Sequence, residues 1–289
     1  MFQFKLETFL FRAVFNFIRI FPLRIAYLFS NFLIFVYLNF VKTRLHTVES
    51  NLHKSFPQKS PEEIKKLTKQ VIMHFGRVAV EFCWFSYKSL DEKLKVFEMQ
   101  GFENVEKALE KGKGIILFMG HFGNWEMAAQ ILSQKTEKMN AVAKQQKNQY
   151  FDDFITHLRE FNKISMIPKK FALRGIIKAL TKNNIIFMLG DQNGGKGGIP
   201  AEFFGRNAPT NPGTAKISLK FDCPIVFSTC LRQPNRKYIF KFEQPIYPKR
   251  TQSLDRDVSK YTQLLTSKLE DKIRENPEQW FWFHRRWKQ

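Results

Sequence analysis

The chain has 289 residues, 44% of them hydrophobic, which is enough for one large domain with a sizeable core, or for one domain plus an anchor. No fixed repeat period and no low-complexity tract is present, which argues against a solenoid or a disordered chain. A formal net charge of +21, with 47 Lys and Arg against 26 Asp and Glu, favours anionic partners: nucleic acid, an acidic carrier protein, phosphorylated lipid or an anionic membrane surface.

Many of the 32 phenylalanines fall in the first forty residues, beside Arg12, Arg19, Arg24, Lys42 and Arg44. The run 25–41 is apolar apart from Ser30, Asn31 and Asn39. As a helix it would be about 25 Å long against a hydrocarbon core of about 30 Å. Residues 5–45 therefore read as a basic, aromatic membrane anchor, either interfacial or a single short span, with an all-round buried core helix as the alternative. Arg19 and Arg24 interrupt the apolar run and no small-residue cleavage site follows, which argues against a signal peptide.

Ser60-Pro61-Glu62-Glu63 has the form of a helix start, with Ser60 as N-cap, Pro61 in the first position and Glu63 closing a capping box. The series Ile64, Leu67, Val71, Phe75, Val78, Phe82, Phe85 then steps by three and four, which predicts one long amphipathic helix with a core-facing stripe. From Gly114 onward short apolar strands alternate with amphipathic helices. Strands are predicted at 114–119, 140–144, 164–167, 185–190, 224–231 and 238–243, and helices at 125–135, 147–161, 172–182, 211–220 and 255–275. This alternation predicts an α/β fold, a mostly parallel sheet between helix layers. Strand 238–243, close to its predecessor across Gln233-Pro234-Asn235, is expected as an antiparallel edge hairpin.

The first of these strands runs into Gly120-His121-Phe122-Gly123-Asn124-Trp125-Glu126. A histidine that takes a proton from an alcohol needs an acidic partner to orient it and stabilise its charge. On a continuous helix five residues advance about 500°, so His121 and Glu126 would point about 140° apart. They can meet only across a bend, which Gly120 and Gly123 permit, with Asn124 capping a helix from Trp125. Six histidines and 26 acidic residues make one such spacing common by chance, so its context carries the reading. Strand, glycine and polar residue recur at Ile185 to Leu189, Gly190 and Asp191. In an open α/β sheet ligands bind beyond the carboxyl ends of the strands, so parallel strands would open His121 and Asp191 onto one edge.

Helix 147–161 is expected to bury Phe151, Phe154, Ile155 and Leu158, which leaves Arg159 beside the stripe, either reaching a cleft or snorkelling on the surface. The glycine-rich segment 191–200 carries Lys196 but fits no P-loop frame, since Gly197 follows the lysine, and reads as a mobile active-site loop. Thr210 or Asn211 is the expected cap of the next helix. The tail Trp280-Phe-Trp-Phe-His284-Arg-Arg-Trp287 suits base stacking or, given the similar N-terminus, membrane-interface anchoring and lipid phosphate binding. Cys83, Cys223 and Cys230 show neither metal-ligand spacing nor a disulfide framework and are expected as core thiols on a reducing cytoplasmic side.

Taken together, the basic apolar N-terminus, Asn51-Leu-His-Lys-Ser-Phe-Pro57, Gly120-His121 to Glu126, Leu158-Arg159-Glu160, Asp191-Gln192, Phe203-Phe204-Gly205 and His284-Arg-Arg-Trp287 carry a family likeness. From about residue 10 to Lys288 the sequence resembles the bacterial lipid A secondary acyltransferases, the lauroyl and myristoyl transferases of lipopolysaccharide assembly. The resemblance implies a glycerolipid-acyltransferase-like αβα sandwich, with an anchor at 1–45, a helical lead-in at 46–100 and an α/β core at 101–289. It implies His121 as general base with Glu126 as its partner, and Arg159, Asp191 and Asn124 binding substrate or stabilising the oxyanion. An acyl carrier protein is the implied donor and a lipid A precursor the acceptor, at the cytoplasmic face of an anionic inner membrane, with no cofactor, metal or nucleic acid. A Phe-Pro-Glu-Gly-Thr-type motif is absent, which puts an acylated saccharide ahead of a lysophospholipid as acceptor. The alternatives are an acyltransferase of the same fold acting on another glycolipid, such as a mannosylated phosphoinositide, and a non-catalytic basic membrane- or nucleic-acid-binding protein.

Overall fold

A computed structural model describes residues 1–143 and 145–288. Its elements are helices α1 (Phe2–Ile20), α2 (Leu23–Val36, prolonged by a π turn at Tyr37–Val41), α3 (Leu45–Ser55), α4 (Pro61–Phe85) and α5 (Leu90–Leu94), then strand β1 (Phe97–Gln100) and α6 (Glu103–Leu109). The α/β alternation continues with β2 (Ile115–Met119), α7 (Trp125–Thr136), β3 (Met139–Ala143), α8 (Gln149–Phe161), β4 (Ser165–Pro168), α9 (Ala172–Thr181) and β5 (Ile185–Leu189). It ends with the hairpin β6 (Ile199–Phe203) and β7 (Arg206–Thr210), then α10 (Gly213–Phe221), β8 (Ile225–Arg232), β9 (Tyr238–Phe242) and α11 (Leu254–Glu275). Position 144, the end of the expected strand 140–144, lies outside the described residues.

Among the described residues, seven strands form one sheet in the order β1-β9-β8-β2-β5-β3-β4, parallel except where β9 runs against β8. Both faces are covered. Along β2, Ile115, Leu117 and Met119 join a core with α6 and α7, whereas Ile116 and Phe118 join the opposite core with α3, α4, α9 and α11. Side chains alternate across a strand, so a run that is wholly apolar must be buried on two sides. This is the mostly parallel sheet between helix layers that the alternation predicted.

Two departures sit at the sheet margins. The hairpin of β8 and β9 is antiparallel as expected but not at the edge, because β1 pairs in parallel with the outer side of β9. That four-residue strand falls where a helical lead-in was expected and is too short to show a period. Segment 191–200 is likewise not one open loop, since Ile199 and Pro200 already belong to β6 and Asn193 bridges to Thr210.

Residues 2–41 form two long helices, α1 and α2 with its π turn. Phe21 is extended (φ −90°, ψ 154°), as a residue before proline prefers, so the helix breaks at Pro22. Phe15 of α1 packs edge-on against Phe154 of α8, with ring centroids 5.2 Å apart. On α2, Ala26, Ser30 and Ile34 are buried. Gly76 of α4 admits Ile34, whose Cδ1 lies 2.6 Å from where a Cβ would stand. Much of the rest is apolar and exposed: Leu23–Val41 has a mean hydropathy of 1.5 and is 17% buried.

The long helix α4 starts with the expected Ser60 and Glu63 capping box and buries most of the expected stripe, with Phe75 and Phe82 half-buried. It also buries Glu81, whose side chain is 0% exposed. Glu81 accepts hydrogen bonds from Tyr27 Oη (2.6 Å), Tyr238 Oη (2.5 Å) and Asn124 Nδ2 (3.0 Å), with Arg232 Nη2 at 3.7 Å from Oε1. One carboxylate thus ties α2, α4, the β2–α7 turn, β8 and β9 together. Burial raises the Glu81 carboxyl pKa against the Arg232 charge, and removing the side chain would strip three buried donors of their acceptor, so Glu81→Ala is expected to lower stability by about 3 kcal/mol or more. The check is the urea midpoint at unchanged m; a midpoint equal to wild type would refute the hub role.

Candidate active site

Strands β2 and β5 are adjacent, parallel and in register, with Met119 opposite Leu189. Each is followed by one glycine and then by a polar residue, so the pairing delivers His121 and Asp191 to the same carboxyl edge. Small residues are required there, because a Cβ on Gly190 would lie 2.2 Å from Phe118 Cε2 and one on Gly120 would lie 2.9 Å from Leu269 Cδ1. After His121 the chain must turn sharply. Gly123 takes φ +64°, and a Cβ there would fall 1.9 Å from the Cys230 carbonyl oxygen. The bend inferred from the glycines is therefore present, held by Gly123 N–H to Gln279 O (2.9 Å) and Asn124 N–H to Cys230 O (2.9 Å).

The partner of the imidazole is Asp191. Nδ1 of His121 lies 2.6 Å from Asp191 Oδ1, and the His121 backbone N–H donates to Oδ2 at 2.8 Å. The indole Nε1–H of Trp280 donates to Oδ2 as well, at 2.8 Å. Asp191 is buried, 4% exposed. Burial alone would raise its carboxyl pKa, but the His121 charge and these hydrogen bonds outweigh it and hold the group below its ordinary range. An ionised carboxylate can only accept, so Nδ1 carries a proton, and when the ring is neutral Nε2 is the nitrogen with the lone pair. Gln192 Nε2 stands 3.3 Å from that free nitrogen. Burial pulls the His121 pKa down, yet Asp191, and more weakly Glu126, raise it net above the usual imidazole value.

The expected pairing of His121 with Glu126 is not what the fold builds. Glu126, in the first turn of α7, faces Arg159 of α8, which donates through Nη2 to Oε1 (2.6 Å) and through Nε to Oε2 (3.4 Å). The physical reason is the one the helical geometry raised: the turn brings the carboxylate near the imidazole, where its charge is felt, but a two-pronged guanidinium is the better hydrogen-bond partner. Arg159 is therefore ion-paired with Glu126 and only a quarter exposed, and does not snorkel.

Asn124 also departs from expectation. It is 0% exposed, its carbonyl oxygen accepts from Met127 N–H (3.2 Å) and its amide donates to Glu81. Its amide is occupied in capping α7, as the sequence suggested, and is not turned toward a substrate. The tail is a further correction. Trp280 and Trp282 are 1% and 0% exposed and sit in the core, so they are not interface anchors. Their alternating neighbours Phe281 and Phe283 stand with Phe75 and Trp125 as a partly exposed aromatic wall, Trp125 and Phe281 having ring centroids 5.1 and 6.2 Å from His121. Trp280 and Gln192 were missed as site residues; only their places beside recognised motifs pointed to them. Of the other expectations, Cys83, Cys223 and Cys230 are buried free thiols. Asn211 does not cap α10 itself but accepts from Gly213 N–H at 2.8 Å, just before the helix.

A model of the family described as bacterial lipid A biosynthesis acyltransferase matches residues 4–289. The lipid A biosynthesis palmitoleoyltransferase of Escherichia coli (strain K12) is 28% identical over 253 residues, which cover 86% of this chain and 80% of that protein. The lipid A biosynthesis lauroyltransferase of the same organism is 27% identical over 256 residues, 87% of this chain and 81% of its own. A phosphatidylinositol mannoside acyltransferase of Mycolicibacterium smegmatis is 22% identical over 235 residues, 80% of this chain and 74% of its own. The solved 1-acyl-sn-glycerophosphate acyltransferase of Thermotoga maritima superposes with a TM-score of 0.38 at 18% identity, covering 89% of this chain and 97% of that one, too loosely to transfer any feature. The match over nearly every residue, from the N-terminal helices to the buried tail, shows that the chain belongs to the bacterial lipid A biosynthesis acyltransferase family.

Proposed function

We propose that this protein transfers a fatty acyl chain from an acyl carrier protein thioester to a hydroxyl of a lipid A precursor, with His121 as general base. The observation that carries the reading is the Nδ1 bond to Asp191, which leaves Nε2 as an acceptor at the strand edge. Nε2 takes the proton of the acceptor hydroxyl as its oxygen attacks the thioester carbonyl. The tetrahedral oxyanion collapses, the C–S bond breaks, and the imidazolium returns its proton to the departing thiolate, giving an ester and a free thiol without an acyl-enzyme. Asp191 stabilises the imidazolium between the two steps. Among the described residues, the N–H groups of Trp125 and Glu126 have no protein acceptor, and at the start of α7 they are suited to the oxyanion. Glu126 and Arg159 act as one unit, Arg159 holding the carboxylate and adding positive charge beside the reacting carbonyl.

The basic surface suits an acidic carrier and a phosphorylated acceptor, and the exposed apolar faces of α1 and α2 suit one leaflet of the inner membrane from its cytoplasmic side. One face of α2 is packed along α4, which favours a helix lying in the interface over one that crosses. The relatives that act on phosphatidylinositol mannoside support a second reading, a different glycolipid acceptor. Mass spectrometry of lipid A from cells lacking the protein separates the two: loss of one acyl chain supports the first, an unchanged lipid A the second.

His121→Ala is expected to lower turnover by about 10²–10⁴-fold while the protein stays folded by circular dichroism. Retained turnover would reject the base. Since the neutral imidazole is the active form and its pKa is raised, kcat/KM should climb with pH through a value above about 6.5. Asp191→Asn removes the charge that favours the protonated ring, so its limb should move to lower pH with a reduced plateau. An unmoved limb would assign the titration elsewhere.

Glu126→Gln and Arg159→Gln should each lower kcat/KM. Because each residue uses the other, the double variant is expected to lose little more than the worse single variant, a coupling of about 0.5–3 kcal/mol. Fully additive losses would mean that the two act independently.

A further inference from the structure

A cleft of about 750 Å³ lies between α2, α4, the β8–β9 turn and the segment after α11, and none of His121, Trp125, Glu126 or Arg159 lines it. Four arginines do, Arg24, Arg77, Arg232 and Arg236, against a single carboxylate, Glu278. Arg232 is nine-tenths buried, its side chain 9% exposed, and its Nη2 faces Glu81 and Tyr27. Its Nη1 is buried and has no hydrogen-bond partner. A charged donor left unpaired in a protein interior is costly, and such a group points to a missing acceptor. Arg77 makes no ion pair among the described residues, and burial together with the neighbouring Arg232 charge pushes its pKa down from the usual arginine range. Guanidinium groups gathered this way, forked and short of acceptors, match the oxygens of a phosphoryl group.

The cleft also has an apolar side, with Leu28, Met73 and Pro234 among polar neighbours such as Gln70 and Asn276. Leu28 of α2, 68% exposed, lines it. A second cleft of about 740 Å³ shares Asn31, Met73 and Arg77 with the first and continues along α2 past Ile34, Phe35 and Leu38. Arginines at one end and a trough leading away, apolar along α2 and bordered by Lys42, Lys65 and Lys69, fit a molecule with a phosphate head and a hydrocarbon tail. We propose that the α2–α4 cleft is a binding site for a phosphate group carried on a lipid, with Arg77, Arg232 and Arg236 holding the phosphoryl oxygens and the α2 trough receiving apolar chain. The site stands apart from His121 but touches the segments that hold it. His74, a lining residue that burial keeps neutral with its pKa pushed down to about 3, lies with Nε2 3.5 Å from Gly123 O. Gln279, another lining residue, accepts the Gly123 N–H and precedes the tryptophan that bonds Asp191. The proposal does not rest on the acyl-transfer reading, and its test uses no turnover.

Isothermal titration calorimetry of the full-length protein with monomeric dihexanoyl phosphatidic acid, and separately with inorganic phosphate, reads the site directly. The lipid should bind, and Arg77→Gln/Arg236→Gln should weaken it at least tenfold, whereas Lys95→Gln/Lys107→Gln, which removes the same charge from exposed positions elsewhere, should not. Arg77→Gln alone should melt no lower than wild type, since no ion pair is lost and a repulsion is relieved. Weaker binding of inorganic phosphate identifies the lipid as the source of the group; equal binding keeps the phosphate site and removes the lipid from it. No binding of either ligand, or equal weakening by the arginine and lysine pairs, would overturn the proposal.

Discussion

The Asp191 carboxylate is the constraint on which the site depends. It is buried at the end of β5 and takes hydrogen bonds from the His121 ring, the His121 backbone and the Trp280 indole. These three donors come from two distant parts of the chain, the β2 end and the C-terminal tail. A buried anion is tolerated only when its oxygens are satisfied, so the three must arrive together or the carboxylate would take up a proton. Folding and the protonation state of the imidazole are thereby coupled: the tail that completes the core also keeps Asp191 ionised, and Asp191 fixes which nitrogen of His121 is free.

Behind this pair lies a second buried carboxylate with a different task. Glu81 fixes Asn124, and Asn124 caps α7, so the helix whose first turn carries Glu126 is set from beneath by α4. Glu126 in turn meets Arg159 of α8, 33 residues further along the chain. The site is thus two ion-paired units on a rigid sheet edge. One orients an imidazole, and the carboxylate of the other, paired with Arg159, is felt at that ring. The N-terminal helices are joined to the same framework, since Tyr27 of α2 also bonds Glu81. An apolar hairpin built into the core this way is continuous with the α4 groove and its arginines.

Much of this was legible in the sequence because it depended on local rules. The capping box at Ser60 and Glu63, the α4 stripe, the strand and helix alternation after Gly114, the bend at Gly123 and the cap at Asn124 each follow from a residue's own conformational preference or from a period. The recurrence of strand, glycine and polar residue at His121 and Asp191 placed both on one edge, given parallel strands. Strand β1 and the β6–β7 hairpin were missed, being short and without a period that distinguishes them from loop. The tryptophans of the tail were misread because composition cannot tell an aromatic residue in a core from one at an interface.

What the sequence by itself determined is which residues could do chemistry and which strands carry them, since apolar runs, glycines and caps act within a few residues of chain. What only the tertiary structure decided is who pairs with whom. His121 had an acid five residues away and another seventy away, and the nearer lost because β2 and β5 align in register while Glu126 found a guanidinium with the matching fork. Pairing is a competition among all donors and acceptors that the fold brings within reach, and that set is fixed by packing, not by spacing along the chain.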